Sequence, residues 1–186
     1  MARRKTIPSS LDEPPAGLVR LWAPWRRTYV EAAGRLKLKC IFCFGRLSEV
    51  SRRERLIVYR GRLASVMLNR YPYNNGHLMV APRRHVASPE LLSPRERAVI
   101  SELIAEAVTH LRAVYRPDGF NLGANLGRSA GAAGVADHMH WHVTPRWDGD
   151  TNYMPVVAGT RVVSELLEES FTRLSPLFKA VQLTIP

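Results

Sequence analysis

The run His138-Met139-His140-Trp141-His142-Val143-Thr144 constrains this chain more than any other stretch, because three histidines alternate with apolar residues. A period of two is the pattern of a β-strand with one polar face and one packed face. On a strand over residues 138–144 the three imidazoles share a face, and Met139, Trp141 and Val143 pack behind them. Same-face neighbours stand roughly 6.5 to 7 Å apart, so His138 and His142, about 13 Å apart, cannot share one ion. The three rings must therefore have different jobs. Half of the chain's six histidines fall within five residues, where a solvated strand would carry mixed polar types. A neutral imidazole, with its pKa near about 6.5, is a fair nucleophile toward phosphorus, and a flanking one can orient it or donate to a phosphate.

The surrounding pattern predicts an α+β fold. Strand-like runs cover residues 56–59, 63–68 and 77–81, the last two joined through Pro72, Asn74, Asn75 and Gly76 as antiparallel neighbours. Ser93-Pro94-Arg95-Glu96 places a serine cap, a first-turn proline and a glutamate three residues after the cap, which starts a helix. Leu103, Ala107, Leu111 and Val114 give that helix one apolar stripe, and Pro117-Asp118-Gly119 stops it. Residues 120–125 and 138–144 form two more strands, so the sheet should have about five strands. A last amphipathic helix is expected at about residues 162–175, marked by Val163, Leu166, Leu167, Phe171 and Leu174 and ended by Pro176.

With 186 residues and 46% hydrophobic content, the chain suits one domain over residues 18–186, preceded by a basic, proline-bearing tail over 1–17. The aromatic and basic segment at 21–27 could pack or stack a base. No apolar run approaches the length of about 18 residues that spans a bilayer, and the N-terminus lacks an apolar signal core, so a soluble cytoplasmic protein is expected. The net charge of +11 favours anionic partners such as nucleotides, polyphosphates or nucleic acid. The arginine-rich stretch at 46–62 reads as a solvated face able to guide polyphosphate by long-range attraction.

Cys40 and Cys43, the only two cysteines, form a C-x-x-C that excludes a long-loop disulfide framework. They could be two ligands of a structural zinc site, for which tetrahedral closure needs two more, with His85 and His138 as candidates. The plainer alternative is two reduced, buried thiols. A thioredoxin-like role fits less well, since the motif precedes sheet and loop rather than opening a helix. His110, inside the capped helix, reads as a packing or solvated residue. The Gly-, Ser- and Ala-rich loop between Gly127 and Gly134 lets backbone N–H groups approach an anion next to the histidines.

The run from His138 to Thr144, with Pro145-Arg146 after it, resembles the H-φ-H-φ-H-φ-φ signature of the histidine-triad (HIT) family, with Thr144 a small departure. Asn69, Gly76-His77 and Pro82-Arg83-Arg84-His85 look like the family's first half, and residues 120–127 resemble the strand and turn before the triad. Residues 21–27, the C-x-x-C and the extension Pro145-Arg146-Trp147-Asp148-Gly149-Asp150 look particularly like bacterial diadenosine tetraphosphate hydrolases and phosphorylases of that family.

The resemblance implies a HIT fold whose sheet continues across a homodimer, and cleavage of dinucleoside polyphosphates through a covalent nucleotidyl-histidine. It implies His140 as nucleophile and His142 as the residue that holds the phosphate oxygens. Asn69 matches a position that meets the ribose, and His77 and Asn125 match positions lining the nucleotide pocket. It also supports Cys40, Cys43, His85 and His138 as zinc ligands, as in some family members and the related galactose phosphate uridylyltransferases. Many members carry Gln or Ser just before the triad; Gly134-Val135-Ala136-Asp137 stands here, leaving Ser129 or loop amides for that task. Three alternatives stay open: a nucleoside phosphoramidate hydrolase of the same family, a metal-water hydrolase using His138 and His140 as a chelating pair, and a basic nucleic-acid-binding module. Whether water or phosphate resolves the intermediate is not written in the sequence.

Overall fold

The computed structural model describes residues 40–127, 137–150 and 165–183. Strands β1 (Ile57–Arg60), β2 (Ala64–Leu68), β3 (Leu78–Pro82), β4 (Gly119–Ala124) and β5 (Trp141–Arg146) form one antiparallel sheet in the order β1-β2-β3-β5-β4. Helices α1 (Glu49–Glu54), α2 (Pro94–Tyr115) and α3 (Leu167–Lys179) complete the described elements, with a short 3-10 turn at Pro89–Leu91. The five expected strands are all present, and the tail at 1–17 and the segment at 21–27 lie outside the described residues. No helix among the described residues is long and apolar enough to cross a membrane.

Strands β2 and β3 are buried on both faces, as is the first half of β1. Val66, Leu68, Leu78, Val80 and Val143 pack on one side against Val99, Ile100, Leu103, Ala107 and Leu111 of α2 and Phe171, Leu174 and Phe178 of α3. On the other side Ile57, Met67, Met79 and Ala81 are covered by Phe42 and Phe44 from the C-x-x-C segment. His142 pairs with Met79 on one neighbour and Gly123 on the other, which places it mid-sheet on this second, helix-free side.

The start of α2 is written locally. The Ser93 hydroxyl accepts from the Glu96 N–H at 3.2 Å while the Glu96 carboxylate accepts from the Ser93 N–H at 2.8 Å, satisfying two otherwise orphan donors. Glu96 also takes the Arg84 guanidinium at 3.0 and 2.8 Å, tying the end of β3 to the helix. The helix stops at Arg116, whose backbone is left-handed at φ 49°, just before Pro117. Gly76, at φ +72°, sits where a Cβ would lie 2.8 Å from both Leu111 and Tyr115. Only glycine lets the β2–β3 loop close there and deliver His77 to the strand.

Two boundaries depart from expectation. The last strand begins at Trp141, not at residue 138. Continuing the β3–β5 register would set Met139 against Pro82, which has no N–H to donate. The Met139 N–H bonds the Val86 carbonyl instead, at 2.7 Å, and residues 138–140 leave the ladder. The last helix begins at Leu167 and runs through Pro176 to Lys179, rather than covering 162–175; positions 162–164 lie outside the described residues. Phe178 is 1% exposed and packs on Tyr59 and His110, so burial of its ring, worth about 1.5–3 kcal/mol, carries the final turn past the proline. Helix α1 was not expected, because none of its six residues is buried and no apolar period betrays it.

Candidate active site and metal centre

His77 opens the site. Its Nδ1 accepts the Tyr73 backbone N–H at 3.1 Å, with the Asn69 amide nitrogen 3.4 Å away. An imidazole that accepts at Nδ1 keeps its proton on Nε2. That Nε2–H faces the His142 Nδ1 at 2.9 Å, so His142 accepts there and carries its own proton on Nε2. The chain of donors thus makes His142 Nε2–H a hydrogen-bond donor in a fixed tautomer. Tyr73 stacks on the His77 ring at 4.8 Å and 24°, holding its plane.

His140 is set up in the opposite sense. Its Nδ1–H donates to the His138 carbonyl at 3.1 Å, which leaves the lone pair on Nε2. The ring is 8% exposed and lies edge-to-face with His142 at 4.9 Å. Burial holds His140 below the usual imidazole range, with the bond to the His138 carbonyl opposing part of that shift. A neutral ring with an accessible nitrogen lone pair beside a fixed N–H donor is an arrangement for attacking an electrophile that bears anionic oxygens.

His138 turns away from both. Its Nε2–H donates to the Pro82 carbonyl at 2.9 Å, so Nδ1 carries the lone pair. That Nδ1 lies 3.3 Å from Cys40 Sγ, 3.5 Å from Cys43 Sγ and 3.2 Å from His85 Nδ1, and Cys43 Sγ is 3.1 Å from His85 Nδ1. Four ligand atoms drawn from three segments converge within 4.8 Å of one another and can hold a metal ion. The carbonyl behind His138 fixes the tautomer that a ligand needs. Burial pushes the Cys40 thiol up and the His138 imidazole down, both costs that a bound cation offsets.

The remaining expected residues divide. Asn69 supports His77 and accepts the Tyr71 N–H at 3.0 Å. Asn125, just past the end of β4, lines an open cavity with His142, Tyr73, Asn121, Thr144 and Arg146. Ser129 and most of the glycine-rich loop lie outside the described residues. His110 packs edge-on against Phe178, far from the chemistry in the fold. Sequence reasoning missed Tyr73, whose backbone sets the His77 tautomer, and Phe42, whose ring meets both His138 and His140. It also missed that Arg146 and Asp150 pair in the extension after the triad, with Asn74 bonding Asp150 at 2.8 Å.

A sheet that presents this histidine set defines the class: the HIT domain family profile matches residues 51–149, and the chain belongs to that family. It is 40% identical over 158 residues to the AP-4-A phosphorylase of Mycobacterium tuberculosis, covering 82% of this chain and 80% of that protein. It is 28% identical over 94 residues to the bis(5'-nucleosyl)-tetraphosphatase (asymmetrical) of Schizosaccharomyces pombe, about half of each chain. Among solved structures, a hypothetical histidine triad nucleotide-binding protein from Sulfolobus tokodaii superposes with TM-score 0.55 at 25% identity, covering 67% of this chain and 83% of that one. A Zn-bound histidine triad family protein from Mycobacterium smegmatis shares the fold at TM-score 0.54 and 20% identity, over 82% of this chain and 92% of that one.

Proposed function

We propose that this chain cleaves dinucleoside polyphosphates of the diadenosine tetraphosphate type through a covalent nucleotidyl-His140 intermediate. The chain is an enzyme of the HIT family, a nucleotide hydrolase or phosphorylase. The observation that carries the mechanism is the pair of opposite tautomers: His140 holds its proton on Nδ1 against the His138 carbonyl, while His142 holds its proton on Nε2. The substrate class is supported by the 40% identical relative named AP-4-A phosphorylase.

In the first step Nε2 of His140 attacks the α-phosphorus; an N–P bond forms and the bond to the bridging oxygen breaks. The remaining polyphosphate leaves as an anion and needs no proton. The Nε2–H of His142 donates to a non-bridging oxygen whose charge grows in the transition state. In the second step water or inorganic phosphate attacks the same phosphorus and restores His140. Asn69 would meet the ribose, His77 would line the nucleotide pocket by holding His142, and Asn125 would reach toward the phosphate side, a task Ser129 or loop amides would share. A phosphoramidate substrate would differ in needing a proton on its leaving amine.

The metal is zinc in this reading. Tetrahedral zinc, with bonds of about 2.3 Å to sulfur and 2.0–2.1 Å to nitrogen, has ligand-to-ligand edges of about 3.3–3.8 Å. Four of the six ligand-to-ligand distances among Cys40, Cys43, His85 and His138 are 3.1 to 3.5 Å and all six lie within 4.8 Å, a set of two thiolates and two imidazoles suited to that ion. Bound there, zinc supplies structure, tying the cysteine segment to the residues that lead into β5. Both ring nitrogens of His138 are engaged, one at the cluster and one at Pro82, which argues against a chelating pair with His140.

A homodimer would form along β4, whose only sheet neighbour among the described residues is β5 and whose Leu122 is 51% exposed. We place the protein in the cytoplasm. Product analysis with and without inorganic phosphate tests the reaction: ADP with ATP denotes phosphorolysis and AMP with ATP hydrolysis, whereas two ADP, which attack at the α-phosphorus cannot give, or no turnover of diadenosine tetraphosphate in either buffer sinks the reading.

A further inference from the structure

We propose that Phe42 is a positioning residue for His140, and that through it the Cys40-Cys43-His85-His138 cluster governs how the nucleophile is held. The proposal rests on the reading of His140 as nucleophile. Phe42 lies between the two cysteines in a tight turn closed by the Cys43 N–H on the Cys40 carbonyl at 3.1 Å. Of the two residues inside the turn, Ile41 is 42% exposed and Phe42 is fully buried. Its ring centroid lies 5.2 Å from that of His138, a cluster residue, and 4.7 Å from that of His140 at an interplanar angle of 34°. One side chain therefore bridges the metal centre and the reacting ring.

His140 is held from three directions: its Nδ1–H on the His138 carbonyl, the edge-to-face contact with His142, and the face of Phe42. The Nδ1 bond resists rotation of the ring about its bond to Cβ, and the Phe42 ring, tilted 34° from the imidazole plane, blocks the same rotation from the side. Phe42 itself has no polar atom in its side chain. Its place is set by the apolar cluster of Phe44, Ile57, Met67, Met79 and Ala81 behind it and by the cysteines on either side. Clamping the two sulfurs fixes the turn and, with it, the ring against His140. Opening the cluster removes that clamp while leaving Asn69, His77 and Asn125 untouched. The chemical step should then suffer more than nucleotide binding, because only the attacking ring loses its orientation.

The test uses the full chain with Phe42→Leu, which keeps most of the apolar volume but removes the flat face. Bound metal per chain, the imidazole nitrogen spectrum of His140, and kcat and KM are measured together. Expected are an unchanged metal content, loss of the single Nδ1–H tautomer in favour of a mixture, and a kcat lower by about 10- to 100-fold with KM within about two-fold. Chelating the metal from the wild-type chain should produce the same tautomer mixture, reversed when zinc returns; this arm decides the matter if the variant does not fold. A Phe42→Leu chain with full metal and an unaltered His140 tautomer overturns the proposal, as does a chelated wild type whose His140 signal does not change. Failure of the nucleophile reading would look different: no nucleotidyl adduct in the wild type, with the tautomer readout still deciding the coupling.

Discussion

The Nε2 of His77 and the Nδ1 of His142 lie 2.9 Å apart, joining residues 65 positions apart in sequence across two paired strands. Because the Tyr73 N–H occupies the other nitrogen of His77, this contact sets which nitrogen of His142 carries a proton. Replacing His77 by Phe keeps a ring against Tyr73 but removes the donor. Steady-state kinetics should show kcat reduced by about 10- to 100-fold. Unchanged kcat in a folded His77→Phe chain would remove the tautomer argument.

The pairing of Arg84 with Glu96 predicts a pH-dependent stability. The guanidinium holds the Glu96 carboxyl down to about 2 from an ordinary value of 4.5. A depressed folded pKa stabilises at pH above 4.5 and loses that contribution as pH falls from there toward 2. Arg84→Met should therefore lower the urea midpoint at pH 7, modestly because the guanidinium is half exposed. The two chains should draw together as pH falls from 4.5 and converge only below about pH 2. A constant difference across that range would assign the effect to packing of the arginine stem.

The cluster of Cys40, Cys43, His85 and His138 predicts one tightly held metal per chain. Cys43→Ser and His85→Ala should each lower metal content and melting temperature together, since binding energy at such a site is folding energy. Cobalt substitution should give the intense visible bands of a tetrahedral thiolate site. Full stability of the chelated wild type would contradict the assignment.

Much of this was legible in the sequence for local reasons. The alternation at 138–142 set apart three histidines with different tasks, and Ser93 with Glu96 named the start of α2, because both patterns depend only on near neighbours. What escaped depended on partners distant in the chain. Pro82 cuts β5 short from the opposite strand, and Phe178 carries α3 past Pro176 by burial against Tyr59. Phe42 looked like filler inside a C-x-x-C. Its contacts with His138 and His140 arise only when segments nearly a hundred residues apart meet, as Cys40 and His138 do at a separation of 98.

Strand β4 predicts the assembly. Among the described residues it pairs with β5 alone, and Asn121 and Leu122 are exposed, a strand edge of the kind that folded proteins seldom leave open. The wild type should sediment as a dimer, and Leu122→Asp should shift it toward monomer with its circular dichroism retained. A monomeric wild type at micromolar concentration would refute the continuation of the sheet.

The central claim is the nucleotidyl-His140 intermediate, and rapid acid-free quenching during turnover of diadenosine tetraphosphate, followed by peptide mass spectrometry, tests it most directly. The account predicts an adenylyl group on the peptide bearing His140 in the wild type. It predicts none in His140→Gly, which should be inactive while retaining its metal. Turnover that persists in His140→Gly, or an adduct mapped to another residue, would contradict it.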